Sequence, residues 1–94
     1  MSKKTAAEEF QEDIIGLIRK HYPRALQGDI TQSDACAAQI GMALGGMLAQ
    51  AYRLNGEVIG RGVYQTIMTR IVETASAIDD TAGAAIRSHV PKIQ

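Results

Sequence analysis

The sequence predicts an all-α protein, and three observations carry the prediction. Alanine is abundant and only two of the 94 residues are proline, which favours helix over strand. Apolar residues recur at three- and four-residue spacing, not in alternation. Helix start and stop signals bracket each of these runs. Together they predict a three-helix domain: an αα-hairpin of helices at about 33–54 and 60–89, with a helix at about 6–22 packed across it.

Residues 1–4 form a flexible basic tail on this reading. Thr5-Ala6-Ala7-Glu8 matches a capping box, with Thr5 as N-cap and Glu8 reaching back to it. Phe10, Ile14, Leu17, Ile18 and Tyr22 then share one face of a helix. Glu8, Glu9, Glu12 and Asp13 lie early, and Arg19, Lys20, His21 and Arg24 lie late, which matches the helix dipole. Pro23 stops the helix.

Gly28 to Gln32 reads as a linker, with Thr31 or Ser33 capping the second helix. Asn55-Gly56 is that helix's stop signal. Beyond it, Tyr64, Met68, Ile71, Ala75, Ile78, Ala82 and Ala85 keep a heptad spacing that crosses Asp79-Asp80 in phase. One long third helix is therefore expected. The competing reading breaks it at Asp79-Asp80, with Asp80 or Thr81 capping a short fourth helix.

Composition bounds the function. The chain is 46% hydrophobic, and ten basic residues balance ten acidic ones, so it lacks the electrostatic footprint of a general nucleic-acid binder. Cys36 is the one cysteine, so no intramolecular disulfide is possible. The first ten residues have lysines but no apolar segment after them, so no secretion leader is read and a cytoplasmic location is expected. One domain spanning 1–94 fits this length.

The most informative stretch is Ala35–Tyr52, which carries no charge. Ala37, Gly41, Gly45 and Ala49 form a ridge of small residues, and Ile40, Leu44 and Leu48 lie beside it. A helix without a charged face is buried on every side or lies in a membrane. Nine of its eighteen residues are Ala or Gly and two are Gln, which argues against a membrane span. Gly41, Gly45 and Gly46 together cost the helix about 2 kcal/mol. Close approach of another helix would offset that, so these seven ridge and flank residues are the expected interface of a homo-oligomer. Packing of the ridge inside the chain is the competing reading.

Candidate chemistry is sparse. His21 and His89 have no ligand-spaced partners, so no metal and no cofactor are expected. The acidic pairs read as solvated helix faces, and no serine-centred nucleophile motif is present, so no enzyme is expected. Two weaker sites remain. The glycine-rich turn Gly56–Tyr64, with Arg53, Gly60, Arg61, Gly62 and Tyr64, offers amides and guanidinium groups to an anionic small molecule or nucleotide. Arg19, Lys20 and Arg24 form a basic patch that a phosphate or an acidic protein surface would fit. The reading that results is a small non-enzymatic regulatory or interaction protein. It is of inhibitor or adaptor type, microbial or phage in style, and acts as a homo-oligomer on a protein partner through helix faces. A nucleotide-like ligand at the glycine turn is the alternative, and nucleic-acid contact through the basic patch a weaker one.

Overall fold

A computed structural model describes residues 3–90, and among these residues the chain forms four α-helices and no strand. They are α1 (Ala6–His21), α2 (Ile30–Asn55), α3 (Glu57–Ile78) and α4 (Asp80–His89), with a short 3-10 turn at Ala25–Gln27. Contacts cluster into two compact units, the first ending at Ala43 and the second beginning at Leu44, so the boundary lies within α2.

The first unit starts with the predicted capping box. Thr5 Oγ1 accepts from the Glu8 backbone N–H at 3.1 Å, and the Glu8 carboxylate accepts from the Thr5 hydroxyl at 3.2 Å. The Lys4 ammonium pairs with Glu12 at 2.7 Å. Met1 and Ser2 lie outside the described residues. α1 ends at His21, where the Tyr22 N–H closes the last turn on the Ile18 carbonyl.

The corner between α1 and α2 is tighter than the predicted linker. Gly28 takes the left-handed conformation at φ 86°, which costs glycine nothing. Asp29, not Thr31 or Ser33, caps α2 by accepting from the Gln32 N–H at 2.9 Å. The expected cap Ser33 instead donates to the Ala25 carbonyl at 2.8 Å, and Gln32 accepts from the Arg24 N–H at 2.6 Å. These two bonds reach back eight residues and tie the start of α2 to the corner.

In the second unit, α2 stops at Asn55 as predicted. Gly56 alone separates it from α3, at φ 87° and ψ 174°, a region almost confined to glycine. The single helix expected over 60–89 is two helices. α3 ends at Ile78, and Asp79 caps α4 by accepting from Thr81 N–H at 2.9 Å and Ala82 N–H at 3.3 Å. The cap lies one residue before Asp80 and two before Thr81, the sequence candidates. α4 packs against α3, and the contact is close enough that a Cβ on Gly83 would lie 2.7 Å from the Ser76 Cα. The heptad seam does not survive this break. Ile78, Ala82 and Ala85 are exposed, while Val72 and Gly83 are buried.

Candidate functional site

Ala37, Gly41, Gly45 and Ala49 are all exposed. A Cβ built on Gly41, Gly45 or Gly46 finds no atom of the described residues within 4 Å beyond the helix's own turns. Of the flanking stripe, Ile40 is 39% exposed, while Leu44 and Leu48 are half-buried. Glycines elsewhere in the chain behave differently. A Cβ on Gly60 would overlap the Tyr52 ring, with Tyr52 Cδ1 at 2.7 Å, and Gly83 is closed in by Ser76. Close helix approach therefore accounts for Gly60 and Gly83 but not for the α2 ridge.

Beside α1 lies an open groove of about 480 Å³ in the first unit. Ile14, Leu17 and Ile18 line it from α1, and Cys36, Gln39 and Ile40 from α2, with His21 and Tyr22 at one end. Cys36 is buried at 6% exposure, the most enclosed hydrophobic side chain described. Leu17 is 56% exposed, and Phe10, one helical turn before the groove, is 66% exposed. Sequence periodicity identified this stripe as one face of α1. The structure leaves much of it to solvent.

The glycine-rich turn is not a loop. Gly60, Arg61, Gly62 and Tyr64 lie inside α3, and only Gly56 stands in the connection. The Gly60 N–H donates to the Gly56 carbonyl at 3.0 Å, and the Gly62 carbonyl accepts from the Thr66 hydroxyl at 3.1 Å. Arg61 pairs with Glu57 at 2.7 Å across one helical turn, which brings a carboxylate, not an anion's cation, to the α3 N-terminus. Arg53 approaches Gln50 at 3.5 Å. What the structure offers here is one ordinary helix start instead of a cradle of loop amides.

The basic patch is divided. Arg24 is held in the corner by the bond from its N–H to Gln32 and by its Nε–Asp29 contact of 3.1 Å. Arg19 and Lys20 are exposed on the last turn of α1, with no ion-pair partner among the described residues. The hydrogen bond from the Gln32 N–H, opposed by desolvation and reinforced by the Arg24 guanidinium, holds the Asp29 carboxyl below its ordinary pKa. No cluster of three or more His, Cys, Asp or Glu suited to a metal occurs among the described residues. No helix among them is long and apolar enough to cross a membrane.

Compared with protein-family models, curated proteins and solved structures, the chain has no significant match.

Proposed function

We propose that this is a non-enzymatic interaction protein that works as a homo-oligomer in the cytoplasm, assembled through α2 and presenting its remaining helix faces to a protein partner. The observation that carries the reading is the open glycine ridge. A Cβ on Gly41, Gly45 or Gly46 meets no atom of the described residues within 4 Å, and a helix of another copy packed there would offset their cost of about 2 kcal/mol. Ala37, Gly41, Gly45 and Ala49 form the contact line, with Ile40, Leu44 and Leu48 packing at its edge.

Exposed apolar side chains support the same reading. Val58 at 82%, Ile78 at 83%, and Met42 and Leu54 at 71% are among the side chains left in water.

Light scattering of the full chain at micromolar concentration tests the proposal. An oligomer that Gly45→Leu dissociates supports it. A monomeric wild-type chain, or an oligomer indifferent to Gly45→Leu, removes α2 as the interface.

A further inference from the structure

We draw no further inference here: the strongest candidate, the open apolar groove of the first unit between Ile14, Leu17 and Ile18 of α1 and Cys36, Gln39 and Ile40 of α2, carries nothing because nothing in the structure shows what covers it.

Discussion

Gly83 of α4 lies against Ser76 of α3 so closely that a Cβ there would stand 2.7 Å from both the Ser76 Cα and Cβ. Backbone, not a flexible side-chain tip, blocks the space. Gly83→Ala should therefore destabilise the protein by about 1–3 kcal/mol of overpacking, reduced by the 0.5–1 kcal/mol that alanine gains over glycine in a helix. Gly62→Ala is the matched control. It is a glycine of α3 with nothing within 4 Å of its Cβ, so the substitution should stabilise by about 0.5–1 kcal/mol. Thermal or urea denaturation of the two variants measures both signs.

Gly41 and Gly45 predict opposite results at two levels. In the isolated chain both have room for a side chain, so Gly41→Ala and Gly45→Ala should each raise helix stability by about 0.5–1 kcal/mol. In an assembly built on the ridge, the same substitutions should loosen association, and Gly45→Leu should abolish it. Stability that rises with dilution, relative to wild type, is the expected signature in concentration-dependent melts.

Asp29 gives a pH dependence of definite sign. Its carboxyl is held below the ordinary value by the Gln32 N–H and the Arg24 guanidinium. The unfolded chain therefore binds this proton first, and the stabilisation is fully present above the ordinary Asp range near about 4. It is lost as pH falls through the lower folded-state value. Asp29→Asn keeps an acceptor for the cap but removes the charge. Melting temperatures of wild type and variant should differ most at pH 6–7 and converge toward pH 2.

Asp79 separates α3 from α4 through its two cap bonds to Thr81 and Ala82. Asp79→Ala should cost about 0.5–2 kcal/mol, and Asp79→Asn or Asp79→Ser much less. Amide exchange should show the loss concentrated in Asp80–His89, the shortest of the four helices.

Cys36 reports on the first unit. At 6% exposure its thiol should react with a thiol reagent at least ~100-fold more slowly in the native chain than in denaturant.

What the sequence by itself determined was local. Thr5 and Glu8 close a capping box three residues wide, Asn55-Gly56 stops a helix, and Phe10 to Ile18 share a face, because each depends only on neighbours within a turn or two. The uncharged run of α2 was equally legible as a helix stretch without a charged face. Tertiary structure decided the rest. Hydrophobic phase across Asp79-Asp80 continues whether or not the backbone does, so periodicity was blind to the break. The break was set by a carboxylate that caps a new helix and a glycine that lets it press against Ser76. Gly60 and Gly62 looked like loop residues by type, yet both lie within α3, and Gly60 makes room for the Tyr52 ring. The α2 ridge, a glycine pattern like theirs, was left open instead. Which glycines a helix closes over depends on contacts between residues distant in the chain, and no local pattern encodes those.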